Sequence, residues 1–336
     1  MIGQPSRAPV PWSELDSKGF VVVPAFLSAA EIDRFIADYD AGDRATRARH
    51  AAPDPAARAS DAIDVPYKVR HVTAAAREAI DGKLADVVAA VARATTVRVT
   101  RHATGAFGST YFATDGDVGL SWHQDSVSYH AYQNHHDYLN FYIPIVKPVT
   151  GKSNLCVVPF DALRARSPAM YDQLRGRGAT RFVARRGTTV VRDNARGGRH
   201  GTLPYLLDDI AVTPELGAGD LLLLRGDAIH RTQDTRTRRI AVSLRMMNAQ
   251  TRVRRCELLQ GGLIKTLLMV ELRRDFQRLF DCFDATGRDE LTIGELAALE
   301  ADLAGDARPP SRGRFLGFLV WHRLARRLRP WHRDRR

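Results

Sequence analysis

The pattern His-x-Asp occurs three times in this sequence: His123/Asp125 in "WHQD", His135/Asp137 in "NHHDY" and His332/Asp334 in "PWHRDRR". An imidazole and a carboxylate two positions apart make a pair of metal ligands when they lie on a strand, because residues i and i+2 project to the same side. A second histidine from a neighbouring strand completes a set of two imidazoles and one carboxylate. That set leaves positions open on one face of the metal and suits non-haem Fe(II), which must bind a cosubstrate and dioxygen together. The chain holds 11 histidines, so the spacing alone does not choose among the three pairs.

The distant histidine is easier to pick. In "PELGAGDLLLLRGDAIHRTQDTRTRRIAVSLR" (214–245) a Gly/Asp turn opens an apolar strand, and the turn "RGDA" then delivers His230. Nine residues later Arg239 begins another strand, where Ile240, Val242 and Leu244 share one face and Arg239, Ala241, Ser243 and Arg245 the other. A strand with one apolar face and two arginines opposite is not ordinary core packing. A buried arginine needs an anion, and a planar guanidinium fits a carboxylate through two parallel hydrogen bonds. Arg239, with Ser243 on its face as a second donor, is the preferred anion holder; Arg238 and Arg245 are the alternatives.

These residues need a scaffold. "GFVVVPAFLSAAEIDRFIADYDAG" reads as a short strand and then a helix N-capped by Ser28, with Ile32, Phe35 and Ile36 in one stripe. The polar run 44–62 reads as a loop, and helix returns around 79–95. From about residue 97, nine short strand candidates separated by turn residues predict a β-sandwich or barrel rather than alternating β/α. After residue 255 the pattern is helical again. The predicted fold class is mainly β with flanking helices, with domains at 1–255, 256–310 and 311–336.

Composition sets the outer limits. The 336 residues are 44% apolar and 26% charged, ordinary for a soluble globular protein. The first residues lack the basic and apolar regions of a signal peptide, and Cys156, Cys256 and Cys282 form no metal-type pair, so a cytoplasmic protein is expected. Of the net charge of +12, +8 falls in the last 26 residues. In "GFLVWHRLARRLR" the apolar side chains Phe318, Trp321, Leu324, Ala325 and Leu328 take one helical face and arginines the other. Such a segment fits an anionic inner-membrane surface, a self-packed helix or a nucleic-acid arm, in that order. "FDATGRDELTIGEL" (283–296) has the outline of a calcium loop, but Arg288 stands at a ligand position and Asp289 replaces the turn glycine, which speaks against calcium.

Taken together, "WHQD", "NFYIPIVKPVTGKSNLCVVP", "GAGDLLLLRGDAIH" and "RRIAVSLR" resemble the Fe(II)/2-oxoglutarate dioxygenases of the phytanoyl-CoA dioxygenase type, over roughly the first 247 residues. The resemblance implies a double-stranded β-helix (jelly roll) with iron on His123, Asp125 and His230. It also implies 2-oxoglutarate at Arg239, Ser243 and Arg245, with dioxygen as co-reactant. It favours His123/Asp125 over the other pairs because the family's pair precedes a strand like 138–146 by about a dozen residues. The related halogenases lack the carboxylate, so Asp125 argues for hydroxylation of a C–H bond. The substrate is expected to be a small molecule or glycolipid, with a lipopolysaccharide sugar such as Kdo as one candidate. Tyr111, Asn140 and Lys152 are further candidates for contact, and 126–136 reads as a lid. The alternatives are a nucleic-acid dealkylating dioxygenase, which shares the Arg-x5-Arg spacing, and a non-catalytic jelly-roll binding protein.

Overall fold

A computed structural model describes residues 9–51, 70–114, 119–259 and 274–303. The chain divides into two compact units, one of residues 1–193 and 198–249, the other of 194–197 and 250–336.

The strands of the first unit, in chain order, are β1 (Phe20–Val23), β2 (Arg70–His71), β3 (Arg101–His102), β4 (Tyr111–Thr114), β5 (Tyr138–Val146) and β6 (Leu155–Val158). They continue with β7 (Thr180–Arg185), β8 (Thr188–Asp193), β9 (Gly198–Leu203), β10 (Leu221–Arg225), β11 (Ile229–Thr232) and β12 (Ile240–Met247). Seven form an antiparallel sheet in the order β1-β10-β5-β12-β4-β2, with β3 also on β12. One face of this sheet (Phe141, Ile143, Leu221, Leu223, Ile240, Val242 and Leu244) packs in a core with helix residues such as Phe35, Leu84, Val87 and Val91. The other face presents Tyr142, Leu222, Leu224 and Ala241 to a second core. This is the mainly β fold with flanking helices that the strand pattern predicts.

The second sheet is less regular. β11 pairs with β6, β8 pairs with β7 and β9, and isolated bridges join His123 to His230 on one side and to Arg181 on the other. The stretch around His123 therefore acts as a minimal strand between β11 and β7. "DDIAVTP", expected to be a strand, contributes a single bridge from Val212 to Val157.

Helix α1 (Glu14–Ser17) precedes β1, and α2 (Ala29–Ala51) follows it. Ser28 and Glu31 cap α2 reciprocally: Ser28 Oγ accepts from the Glu31 amide, and the Glu31 carboxylate accepts from the Ser28 amide. α2 runs through Ala51, so the first part of 44–62 is helix where loop was expected; residues 52–69 lie outside the described residues. α3 (Ala74–Glu78) and α4 (Asp81–Ala94) complete this layer.

In the second unit, β13 (Arg252–Arg254) pairs with β14 (Glu290–Thr292). Helices α5 (Val127–Tyr132), α6 (Phe160–Arg166) and α7 (Pro168–Leu174) belong to the first unit; α8 (Arg255–Leu259), α9 (Arg274–Thr286) and α10 (Ile293–Asp302) belong to the second. Thr292 and Glu295 form a capping box at the start of α10. Arg288 donates to Glu295 at 2.7 Å, so a guanidinium holds the carboxylate that a calcium loop would offer as its twelfth ligand. The basic tail and the His332/Asp334 pair lie outside the described residues. No helix of the described residues is long and apolar enough to cross a membrane.

Candidate metal centre

The two candidate histidines are paired backbone to backbone. The His123 amide donates to the His230 carbonyl and the His230 amide to the His123 carbonyl, both at 3.0 Å. Directly opposed residues on an antiparallel ladder send their side chains to the same side. The imidazole rings accordingly stand 4.4 Å apart. Asp125, two residues beyond His123, reaches the same point: its Oδ1 lies 3.8 Å from Nε2 of each histidine. Ligand atoms of the three residues all fall within 4.8 Å of one another, a grouping found nowhere else among the described residues.

The nitrogens are oriented for ligation. Nδ1 of His123 donates to the Ser121 carbonyl at 2.7 Å, and Nδ1 of His230 donates to the Ala228 carbonyl at 3.0 Å. A carbonyl only accepts, so Nδ1 carries the proton and the Nε2 lone pair faces the third ligand in both rings. The Asn140 side-chain amide donates to Asp125 Oδ2 at 3.0 Å, leaving Oδ1 toward the histidines. Burial, reinforced by His230, pushes His123 down to about 4. For Asp125 burial acts upward, but His230, Arg245 and His123 outweigh it and hold the carboxyl at about 2. His123 and Asp125 are thus in the ligand forms, neutral imidazole and carboxylate, at neutral pH.

The segment carrying the ligands is fixed on every side. The Gln124 side chain, fully buried, donates to the carbonyls of Asp227 (2.7 Å) and Leu174 (3.2 Å). The Ala179 amide donates to the Asp125 carbonyl at 2.8 Å. The turn before His230 is locked by a buried pair in which Arg225 donates to Asp227 through Nε at 2.9 Å and Nη2 at 2.6 Å. Glycine is required where the chain crowds the site: a Cβ on Gly178 would stand 2.5 Å from His135 Nδ1 and 2.6 Å from the Asp125 carbonyl.

The other His-x-Asp pair within the described residues is not a metal pair. His135 is fully buried, donates through Nδ1 to the Gly226 carbonyl, stacks on Tyr138 and contacts Ser128 through Nε2. Asp137 instead accepts from the Arg98 amide. Nor is 126–136 an open lid: α5 runs through it, and Ser128, His130, Ala131, Tyr132 and His135 are buried.

The arginines separate clearly. Arg238 is exposed. Arg239 is buried, with Nη2 on the Thr114 carbonyl at 2.9 Å and Nη1 near the Ser153 carbonyl at 3.5 Å, while its Nε has no partner among the described residues. Arg245 lies over the Tyr111 ring, donates to the Tyr111 hydroxyl and to Ser243 Oγ, and its charge acts on Asp125. Ser243 therefore serves Arg245, not Arg239 as its position on the strand suggests. Asn140 stands opposite Arg245 on β5, which puts Arg245 at the metal end of β12 and Arg239 at the far end.

Sequence reasoning missed Lys147. β5 carries a bulge where it pairs with the start of β12: Ala241 faces Pro144, yet Ile240 faces Val146. The extra residue puts Ile145 and Val146 on the same helix-facing side, and Lys147 then falls on the face of Arg239. Lys147 is buried and donates to the Lys152 carbonyl. Burial and the neighbouring Arg239 push its ammonium down to about 8. Among the described residues no carboxylate pairs with either cation; the nearest acid acting on Lys147, Asp234, is engaged by Ser153. The alternation pattern conceals a bulge, so nothing in the sequence marked this residue.

Several solved structures resemble the chain at low identity. The non-heme alpha ketoglutarate dependent carbocyclase SnoK from nogalamycin biosynthesis aligns at 12% identity and a TM-score of 0.47, over 75% of this chain and 86% of that one. The epimerase SnoN from the same biosynthesis aligns at 14% and 0.42, over 72% and 84%. HygX from Streptomyces hygroscopicus, solved with nickel and 2-oxoglutarate, aligns at 17% and 0.37, over 70% and 84%. No curated protein matches the chain. The family profile described as phytanoyl-CoA dioxygenase matches residues 15–242, a span that takes in His123, Asp125, His230 and Arg239. With more than half of its length in that match, and a two-histidine, one-carboxylate cluster inside it, the chain belongs to the phytanoyl-CoA dioxygenase family.

Proposed function

We propose that the protein is an Fe(II)- and 2-oxoglutarate-dependent oxygenase that hydroxylates a C–H bond of a small molecule. The observation that carries this reading is the convergence of His123 Nε2, His230 Nε2 and Asp125 Oδ1, each with its remaining hydrogen-bonding atom tied to a carbonyl or an amide. That donor set fits Fe(II), with one face of the metal left for other ligands. When bound, iron and 2-oxoglutarate supply oxidative decarboxylation to succinate coupled to oxygen insertion.

The chain's own groups account for the rest. The distal carboxylate of 2-oxoglutarate is assigned to Arg239, whose buried guanidinium, among the described residues, meets only carbonyls and keeps an unpaired Nε, with Lys147 as a second cation beside it. Arg245 and Ser243 lie at the metal end of the same strand and are assigned to the part of the cosubstrate nearer the metal. Asn140 and the two carbonyls hold the ligands in place, so no ligand must reorient when the metal arrives.

The decisive experiment measures succinate formation and iron content. Wild-type protein is expected to require both Fe(II) and 2-oxoglutarate. Asp125→Ala is expected to lose at least about a hundredfold in turnover; normal activity in this variant refutes the assignment. Arg239→Ala is expected to raise the KM for 2-oxoglutarate by at least about tenfold with iron content unchanged.

A second reading concerns location and rests on sequence alone. The basic, Trp-bearing segment 311–336 is proposed to dock on an anionic membrane surface, which makes a glycolipid substrate compatible with the site. Flotation with anionic vesicles should separate the full chain from one ending at Pro310. Equal flotation sinks this part of the reading and leaves the oxygenase assignment intact.

A further inference from the structure

The row of residues that holds the metal does not stop at the metal. Direct pairing in the second sheet links Val157 to His230, His230 to His123, His123 to Arg181, Arg181 to Arg192 and Arg192 to Arg199. Residues directly opposite one another on antiparallel strands share a face. One face therefore runs from a buried valine, through the two iron ligands, onto three arginines in line. Strands lie about 4.8 Å apart, so the arginines start about 5, 10 and 14 Å from His123.

The register that makes this row is specific. The Gln124 amide bonds to the Thr180 carbonyl and the Phe182 amide to the Trp122 carbonyl, which brackets His123 and Arg181 as a close pair. Farther out, the ladder slips between Val191 and Arg192, so that Val191 faces Gly201 but Arg192 faces Arg199. The slip brings the third arginine into line and leaves His200 aside, where it pairs with Asp193 at 3.5 Å.

Among the described residues, no ion pair uses these charges. The opposite face of the same strands, with Phe182, Val191, Leu203 and Thr189, is buried, whereas Arg181, Arg192 and Arg199 are exposed. Among the described residues no carboxylate pairs with any of the three; Arg199 donates only to the Gly201 carbonyl and the Thr202 hydroxyl. Like charges directly opposite on a sheet are destabilising. Three in a row beside a site that is to hold a dication point to a ligand that brings negative charge. Val183 and Val190 face each other next to the row, with Val183 largely exposed, so the platform is cationic with an apolar border.

We propose that the substrate of this oxygenase carries a multiply charged anionic group of the phosphate kind, seated on Arg181, Arg192 and Arg199. Its reacting C–H bond is set at the metal, one to three strand spacings away. The inference rests on the metal-centre reading for the position of the reacting carbon, and on the arginine row alone for the anion. A guanidinium row suits phosphate oxygens through paired hydrogen bonds, and charge within about 10 Å of the metal also steers such a substrate inward at low salt.

The test is calorimetric titration of the full chain, loaded with Fe(II) and 2-oxoglutarate without oxygen, using glucose, glucose 6-phosphate and glucose 1,6-bisphosphate as probes. Wild type is expected to bind the bisphosphate most tightly and glucose not at all. The Arg192→Thr/Arg199→Thr variant is expected to lose at least about tenfold in bisphosphate affinity, while its thermal midpoint stays level or rises. Arg192→Lys/Arg199→Lys keeps the charge but not the paired hydrogen bonds, and is expected to lose less affinity than the threonine variant. Absence of saturable binding by wild type, equal binding by the threonine variant, or equal loss in the lysine and threonine variants overturns the proposal. Wild-type succinate formation is read separately. Its absence with bisphosphate binding intact fails the oxygenase reading and supports the row; its presence without bisphosphate binding fails the row alone.

Discussion

Asn140 is the least conspicuous member of the metal centre and the simplest to test. Its amide is the hydrogen-bond donor on Asp125 Oδ2, and its own Oδ1 has no partner. Asn140→Ala should therefore free the carboxylate to rotate without removing a ligand. The expected result is a 10- to 100-fold loss, roughly, in iron affinity with the fold intact, read by metal titration alongside circular dichroism. His135 offers a pH signature. Burial drives its imidazole down to about 4 from the ordinary 6.5, so the unfolded chain binds a proton that the folded chain refuses. Stability from this group is complete above the unfolded value and is lost as pH falls from 6.5 toward 4, by up to about 3 kcal/mol. Chemical denaturation from pH 7 to pH 4 should show a slope reduced by about one proton in His135→Gln; an unchanged slope excludes His135 as the source. His123, equally depressed, contributes its own share in the metal-free protein and is unaffected by that substitution.

At the scale of elements, the ligand segment behaves as a strand only because its neighbours pair with it. Gly178 shows how tightly the connection is drawn. Alanine there meets His135, the Asp125 carbonyl and Tyr129, each within 2.7 Å, two of them parts of a fixed framework. Gly178→Ala is expected to destabilise by about 1–3 kcal/mol and to weaken iron binding with it, as thermal denaturation with and without metal would show. The β5 bulge gives a matching prediction. Lys147→Met keeps the length but removes the charge beside Arg239, and should raise the KM for 2-oxoglutarate by roughly three- to tenfold with iron affinity unchanged. The contrast between these features marks what was readable from sequence. Alternation on β12 and the apolar run of β10 are local patterns, so their faces and the position of His230 follow from residue order. A bulge, a register slip and a bridge of one residue depend on the partner strand. Lys147 and the arginine row were therefore invisible, Ser243 was given to the wrong arginine, and a buried helix was taken for a lid.

For the whole molecule, the two units carry different chemistry. The first holds every metal-centre residue; the second, with its β13–β14 pair and capped α10, resembles a calcium loop in outline only. Arg288 donates to Glu295, whose carboxyl this bond and its hydrogen bonds to Thr292 hold at about 2. Arg255 pairs at 2.7 Å with Asp284, the first acid of the loop outline. Arginine charge thus already neutralises the acids a cation would need. Millimolar calcium should leave the thermal midpoint of the full chain unchanged within about 1 °C; a saturable rise would show that the loop binds calcium after all. The change from a strand-rich to a helical pattern after residue 255 was legible because strand and helix periods differ.

The backbone pairing of His123 with His230 also has a consequence for how the protein is made. The two residues stand roughly a hundred positions apart in the chain, yet each supplies the hydrogen bonds that align the other. While the ribosome has not yet released β11, a chain already displaying "WHQD" has neither the second imidazole nor the strand that orients the first. With the proposed ligand set, metal loading waits until most of the domain has been synthesised and folded. On that ligand set iron uptake follows completion of this sheet, and a chain that stops before His230 lacks one of the three proposed ligands.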